Sequence, residues 1–159
     1  MPTIYALQKH DKEGFEAFYA IYSLSFPLSE QKSKEALLEM FSSNHYTIFV
    51  AYETMQCVGF CIIFHPLHLD FYLLEYMATH QAIRGKGIGS ILLTQSIQTI
   101  YQTHGQKPLL IEIDSPEVDS EDADMRAKRE QFYRKIGCLK LDPFDYILGL
   151  KSTQTPPPM

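Results

Sequence analysis

The most specific chemical pattern in the sequence is the glycine-rich stretch RGKGIG at residues 84–89. Glycines allow an anion to approach the backbone closely, and a loop that leads into a helix offers unpaired N–H groups and the positive end of the helix dipole. Arg84 and Lys86 add two positive charges to the same stretch. We therefore predict that this loop binds a phosphate or pyrophosphate group.

Two common phosphate-binding motifs do not fit this stretch. No Gly-Lys-Ser/Thr sequence closes it as in a Walker loop, and the spacing Gly87-x-Gly89-x-x-Leu92 lacks the third small residue of a dinucleotide fingerprint. A nucleotide-binding enzyme is therefore disfavoured. The remaining alternative is a flexible turn with solvated charges, which the position between a predicted strand and a predicted helix argues against.

The elements around this loop are predicted from hydrophobic periodicity. Apolar residues at helical spacing predict helices after caps at Asp11 and Ser29 and over residues 87–103 and 123–136, and the second helix should direct Leu37, Leu38 and Phe41 into the core. β-branched and aromatic runs predict strands at 3–7, 46–52, 57–64, 71–79, 108–114, 138–141 and 146–150. This order predicts an α/β (α+β) fold whose mixed central sheet has about six to seven strands flanked by about four helices.

Length and composition place the chain among ordinary globular proteins. It has 159 residues, of which 45% are hydrophobic and 21% are charged. These values predict one domain over residues 1–151, and the proline-containing segment 152–159 is expected to be a frayed, flexible tail. Cys57 and Cys61 are four residues apart on a predicted strand, so we expect them on one face in the core.

The charge balance and the ends of the sequence limit the classes of partner. The formal net charge is -5, which argues against binding to nucleic acid or to an anionic membrane and favours a cationic substrate. The sequence begins without a signal-peptide pattern and has no apolar run of the roughly 20 residues that a membrane span needs. We expect a cytoplasmic protein, and no spacing of Cys or His residues predicts a metal site.

The glycine-rich stretch resembles the first signature of the GNAT superfamily, the Gcn5-related N-acetyltransferases, which reads Arg/Gln-x-x-Gly-x-Gly/Ala. Arg84, Gly87 and Gly89 match it, and the segment LEYMAT at residues 74–79 resembles the cofactor-side strand. The resemblance covers residues 4–150 and implies a sheet that is splayed where acetyl-CoA binds as co-substrate. It assigns acetyl-CoA binding to Met77, Ala78, Thr79, Arg84, Gly85, Lys86, Gly87, Ile88, Gly89 and Ser90.

Two residues are candidates for proton transfer. Tyr133 lies in FYRKIGC, which resembles the superfamily's second signature, where a helix tyrosine faces the thioester sulfur and can protonate the leaving thiolate. Its alternative role is aromatic packing with Phe132 on an amphipathic helix. Glu75 alternates with Leu73 and Met77 on a strand, so it is either a general base, directly or through water, or a structural ion-pair partner.

The acceptor is predicted to be an amine. Phe26 and Glu30 lie in a segment that resembles the acceptor-side loop of the superfamily, and Glu117 begins an acidic loop that would attract a cationic amine, unless this loop is only a solvated charged surface. We therefore predict an N-acetyltransferase that acts in a ternary complex on a small-molecule or peptide amine, with a homodimer as one possible assembly. The alternative is a non-catalytic acyl-CoA-binding sensor or interaction module.

Overall fold

The computed structural model describes residues 1–117 and 119–141. The described chain forms five strands and four α-helices, which confirms the mixed α/β class with about four helices. The strands are β1 (Thr3–Ala6), β2 (Tyr46–Glu53), β3 (Gln56–Phe64), β4 (Tyr72–Thr79) and β5 (Leu109–Ile111). The helices are α1 (Lys12–Ser25), α2 (Lys34–Ser42), α3 (Ile88–His104) and α4 (Ala123–Lys135).

The chain divides into two compact units, residues 1–111 and a second unit that begins at Glu112. The first unit contains all five described strands and helices α1, α2 and α3, and the second contains α4. The boundaries predicted from the sequence, a domain over 1–151 and a tail at 152–159, stay a prediction because residues 142–159 lie outside the described part of the chain.

The five strands form one sheet in the order β1-β2-β3-β4-β5. The first four strands are antiparallel to their neighbours, and β5 is parallel to β4, so the sheet is mixed. Pairing between β4 and β5 ends after three residue pairs, the last being Leu74 with Ile111. The rest of β4 continues to Thr79 without β5, which is the splayed geometry expected at the cofactor site.

Helices cover both faces of the sheet. The larger apolar cluster joins α1 and α2 to the strands through side chains such as Phe18, Leu37 and Ile62. Side chains alternate between the faces of a strand, so Cys61 points away from this cluster and toward Ser96 of α3. Helix α3 therefore packs on the opposite face, and the two layers fix the end of β4 that leads to the glycine-rich loop.

The second helix begins later than the sequence predicted. Ser33, not Ser29, caps α2, because its Oγ accepts a hydrogen bond from Ala36 N at 3.1 Å, whereas Ser29 lies in a turn before the helix. Leu37 is fully buried but Leu38 is 43% exposed, so the prediction that Leu38 enters the core was wrong. Successive residues of a helix are about 100° apart around its axis, so Leu38 lies beside the narrow buried face that contains Leu37.

The predicted strands after α3 are only partly present. β5 covers three residues rather than the predicted 108–114, and residues 138–141 form no strand. The N–H groups of Gly137 and Cys138 instead donate to Arg134 O and Tyr133 O, at 3.0 Å each, where they close the end of α4. The strand predicted at 146–150 lies outside the described residues, which leaves five described strands rather than six to seven.

Candidate active site

The glycine-rich loop connects β4 to α3 through a 3₁₀ turn at Gln81–Ile83. Gly85 and Gly87 have φ angles of 84° and 78°, in the left-handed region that a residue with a Cβ seldom adopts. Apart from the glycine itself and the residues adjoining it in the chain, no atom of the described residues lies within 4 Å of where a Cβ on either glycine would be. The glycines therefore give the loop its shape and leave open space above the backbone, as a bound phosphate group requires.

The first turn of α3 is built differently from those of α1 and α2. Asp11 accepts a hydrogen bond from Gly14 N at 2.8 Å, and Ser33 caps α2 in the same way, but Gly87 offers α3 no side-chain cap. The first N–H groups of α3 therefore lack the side-chain acceptor that such groups commonly find. Uncapped N–H groups at the positive end of a 17-residue helix form a favourable site for an anion.

Charged side chains and exposure strengthen this anion site. Arg84, Gly85, Lys86 and Gly87 are all exposed, and the first turn of α3 contains no acidic residue. Ile88 is buried and anchors the turn, while the backbone around it faces outward with two cations beside it. The residues present fit the pyrophosphate of coenzyme A in charge, backbone geometry and space.

The end of β4 supplies a second binding element directly before the loop. Met77, Ala78 and Thr79 pair with β3 along one edge, opposite Cys61, Phe60 and Gly59 respectively. No strand of residues 1–117 or 119–141 pairs with these three residues along the other edge. An extended ligand arm that carries amide groups can hydrogen-bond to such an open edge as an added strand.

Glu75 lies at an irregularity of β4. Ile63 pairs with Leu74 and Ile62 pairs with Tyr76, so Glu75 is an extra, unpaired position in this strand and forms a β-bulge. A bulge interrupts the regular alternation of side chains between the two faces of the sheet. Glu75 is half-buried, and its charge, second to burial, raises the pKa of the Tyr46 phenol. Tyr46 and Tyr76 both pack against the cluster under α1 and α2, so Glu75 has its electrostatic neighbours on that face.

The loop between α1 and α2, residues 26–33, lies beside the open part of β4. The Phe26 ring packs against Tyr76 of β4 with 5.1 Å between ring centroids, and Glu30 O accepts a hydrogen bond from Tyr76 Oη at 2.8 Å. Phe26 and Glu30, predicted as acceptor contacts, are thus brought next to the strand that carries Glu75 and Met77. The sequence reasoning did not identify Tyr76, although a tyrosine in a mostly apolar strand signals a hydroxyl that needs a partner.

The second unit contains Tyr133 and Glu117. Tyr133 is half-buried in the last turns of α4 and packs edge-on against Phe132, with 5.0 Å between centroids. Glu117 is exposed and forms an ion pair with Lys140 at 3.0 Å, while most of its side chain remains open to solvent. The roles predicted for both residues stay predictions.

A family model described as an acetyltransferase (GNAT) domain matches residues 44–137, which is more than half of the chain. The chain belongs to the GNAT family. This match includes β4, the glycine-rich loop, α3 and α4. No curated protein matches the sequence.

Solved structures confirm the GNAT fold. A GNAT-family protein from Bacteroides thetaiotaomicron is 19% identical, with a TM-score of 0.74 over 98% of this chain and 83% of the other. AAC(6')-Iy, solved with the bisubstrate analogue CoA-S-monomethyl-acetylneamine, is 15% identical, with a TM-score of 0.71 over 94% of this chain and 98% of the other. A ribosomal-protein-alanine N-acetyltransferase from Brucella melitensis is 18% identical, with a TM-score of 0.64 over 93% and 98%.

No group of three or more His, Cys, Asp or Glu side chains within 1–117 and 119–141 could hold a metal ion. None of the described helices is long and apolar enough to cross a membrane.

Proposed function

We propose that this GNAT protein is an N-acetyltransferase that moves an acetyl group from acetyl-CoA to a primary amine by direct attack in a ternary complex. The observation that carries the proposal is the continuity of two binding elements in one unit. The open edge of β4 leads through the glycine-rich loop into the uncapped first turn of α3. An extended thioester arm and a pyrophosphate are the two chemical features that such a pair of elements can bind.

Acetyl-CoA binding is assigned mainly to backbone groups. Met77, Ala78 and Thr79 would hydrogen-bond to the amides of the extended arm, while N–H groups from Arg84 to Ser90 hold the pyrophosphate. The side chains of Arg84 and Lys86 add charge to the same site. Because most donors are backbone groups, loop conformation should affect acetyl-CoA binding more than side-chain identity does.

The chemical step needs a proton acceptor, support for the oxyanion and a proton donor. We assign removal of the ammonium proton to Glu75, directly or through water, so that the neutral amine nitrogen can attack the thioester carbon. The Met77 N–H is our candidate donor to the oxyanion. As the carbon–sulfur bond breaks, the Tyr133 phenol donates its proton to the thiolate and is then reprotonated from solvent. The attacking nitrogen loses its second proton to solvent as the tetrahedral intermediate collapses, and the amide and the free thiol are the products.

The acceptor site is assigned to Phe26, Glu30 and Glu117. Their placement beside β4 or in the acidic loop, together with the net charge of -5, supports a cationic amine as substrate. The acetylneamine analogue bound to one structural neighbour and the ribosomal-protein alanine named for another support a small-molecule or a peptide amine as the acceptor. The three cysteines are free thiols, as is usual in a reducing compartment, which supports a cytoplasmic location.

The proposal is tested by measuring coenzyme A release over a panel of small-molecule and peptide amines. We expect turnover by the wild type and a decrease in kcat of about 10²-fold in Tyr133→Phe, because a general acid contributes at least this much. The affinity for acetyl-CoA should not change. Tyr19→Phe, which alters a tyrosine on α1, is the matched control and should retain full activity.

Two outcomes would contradict the proposal in different ways. Acetyl-CoA binding without turnover of any amine would favour a sensor or interaction module instead of an enzyme. Turnover that is unchanged in Tyr133→Phe would retain the enzyme but remove Tyr133 as the proton donor.

A further inference from the structure

We infer that Tyr76 is a positioning residue that sets the acceptor side of the site by fixing the loop 26–33 onto the open end of β4. This inference rests on the proposed acetyl transfer and names a residue that decides acceptor binding through the loop. The Tyr76 hydroxyl joins β4 to the loop, while two other side chains hold the loop to itself and to α1.

Tyr76 connects the sheet to this loop through its ring and through its hydroxyl. The ring packs edge-on against Tyr22 of α1 and against Phe26, with centroid distances of 5.0 and 5.1 Å. The hydroxyl donates to Glu30 O at 2.8 Å. Burial, followed by the neighbouring Tyr22 hydroxyl, raises the pKa of Tyr76, so the phenol keeps the proton that it donates.

Two other side chains hold the loop to itself and to α1. Gln31 Nε2 donates to Ser23 O at 3.0 Å and to Phe26 O at 2.6 Å, which ties the later part of the loop to its start and to the end of α1. Tyr22 Oη accepts a hydrogen bond from Lys32 N at 2.8 Å. The loop is therefore a preformed unit attached to α1, and the Tyr76–Glu30 hydrogen bond sets where this unit lies relative to β4.

The position of Tyr76 along β4 gives this bond its functional consequence. Tyr76 stands between Glu75, the candidate base, and Met77, the first residue assigned to the acetyl-CoA arm. A shift of the loop relative to this segment would change where an amine is held with respect to the thioester carbon. Small displacements of reacting groups have large effects on rate and on productive binding.

The same strand offers a matched control. Tyr72, four residues earlier on β4, donates its hydroxyl to Gly105 O at 2.7 Å and lies 3.2 Å from His104 O, at the other end of the sheet from the loop. Tyr72→Phe and Tyr76→Phe each remove one tyrosine hydroxyl from β4 that donates to a backbone carbonyl. The two variants therefore make the same chemical change and differ only in the segment that loses its hydrogen bond to β4.

The experiment compares steady-state kinetics and amide hydrogen exchange of wild type, Tyr76→Phe and Tyr72→Phe. We expect Tyr76→Phe to raise KM for the amine about tenfold, since the hydrogen bond that it loses is worth about a factor of this size. The affinity for acetyl-CoA should stay at the wild-type value. Amides of residues 28–32 should exchange faster in Tyr76→Phe than in Tyr72→Phe.

An unchanged amine KM in Tyr76→Phe, or an equal rise in Tyr72→Phe, would overturn the inference while leaving the acetyltransferase in place. Exchange of the 28–32 amides at the wild-type rate in Tyr76→Phe would overturn it as well. A wild-type protein that transfers acetyl to none of the amines would instead overturn the proposed function, and this inference with it.

Discussion

A buried histidine at the end of the central strand β3 predicts that this protein loses stability as the solution becomes mildly acidic. His65 follows β3, is only 3% exposed, and stacks on His104 with 4.4 Å between ring centroids. Its Nε2 lies 2.8 Å from Thr47 Oγ1, while Nδ1 has no partner among the described residues. Burial, followed by the nearby His104 and His45, lowers the pKa of His65 from 6.5 to about 4.

The direction in which the free energy of unfolding changes with pH follows from the number of protons that the folded and the unfolded chain bind. Between the folded and unfolded pKa values the unfolded chain binds more protons, so the free energy of unfolding falls as pH decreases through about 6.5 and stops falling below about 4. Each unit of pKa difference is worth about 1.4 kcal/mol, which sets a limit of about 3.4 kcal/mol for the shift of His65. Between pH values of about 8 and 5 the expected loss is about 2 kcal/mol.

Urea unfolding of the wild type at several pH values from about 8 to 5 measures this loss directly. His65→Asn removes the titrating group and should flatten the dependence, whereas His68→Asn, which changes an exposed histidine, should keep it. If His65→Asn does not fold, an NMR titration of the wild type reads the pKa of His65 itself. Equal stability at both ends of the range, or a pKa of His65 near 6.5, would refute the reasoning.

Three further predictions concern the loop, the base and the second helix. Gly87→Ala should cost about 1 kcal/mol of stability and weaken acetyl-CoA binding, measured by calorimetry, at least about tenfold. Gly105→Ala should destabilise α3 without affecting acetyl-CoA binding. Equal affinities of the two variants for acetyl-CoA would contradict this prediction. Glu75→Gln should lower kcat about 10²-fold with unchanged acetyl-CoA affinity, and wild-type kcat would exclude Glu75 as the base. Ser33→Ala should lower the free energy of unfolding by about 1 kcal/mol, and Ser29→Ala should change it little in urea titrations, unless the helix begins at Ser29.

The features that depend only on residues close together in sequence could be predicted from the sequence. Gly85, Gly87 and Gly105 adopt positive φ angles where the chain turns into or out of α3, and Asp11 caps α1 through a residue only three positions away. The class of the sheet and the placement of the candidate anion site before α3 followed from the same signals. Ser29 and Ser33 both satisfy the capping pattern, and only the hydrogen bonds of the folded chain distinguish them.

Features set by distant parts of the chain could not be predicted. The register of β2 with β3 shifts between Ala51 and Tyr52, so Cys57 packs with Phe60 and Ile62 while Cys61 points to Ser96 on the other face. The prediction that the two cysteines share a face was therefore wrong, because a bulge reverses the alternation. The bulge at Glu75 and the partner of Tyr76 on the α1–α2 loop likewise depend on pairing between segments far apart in sequence.

The most direct test of the central claim is the thermal and chemical stability of the wild-type protein with and without acetyl-CoA, with ATP and NAD as competing ligands. A ligand that binds only the native state at a hundred times its Kd should add about 2.7 kcal/mol to the free energy of unfolding. We predict this stabilisation by acetyl-CoA and not by ATP or NAD. Stability unchanged by saturating acetyl-CoA, or raised equally by the nucleotides, would contradict the account.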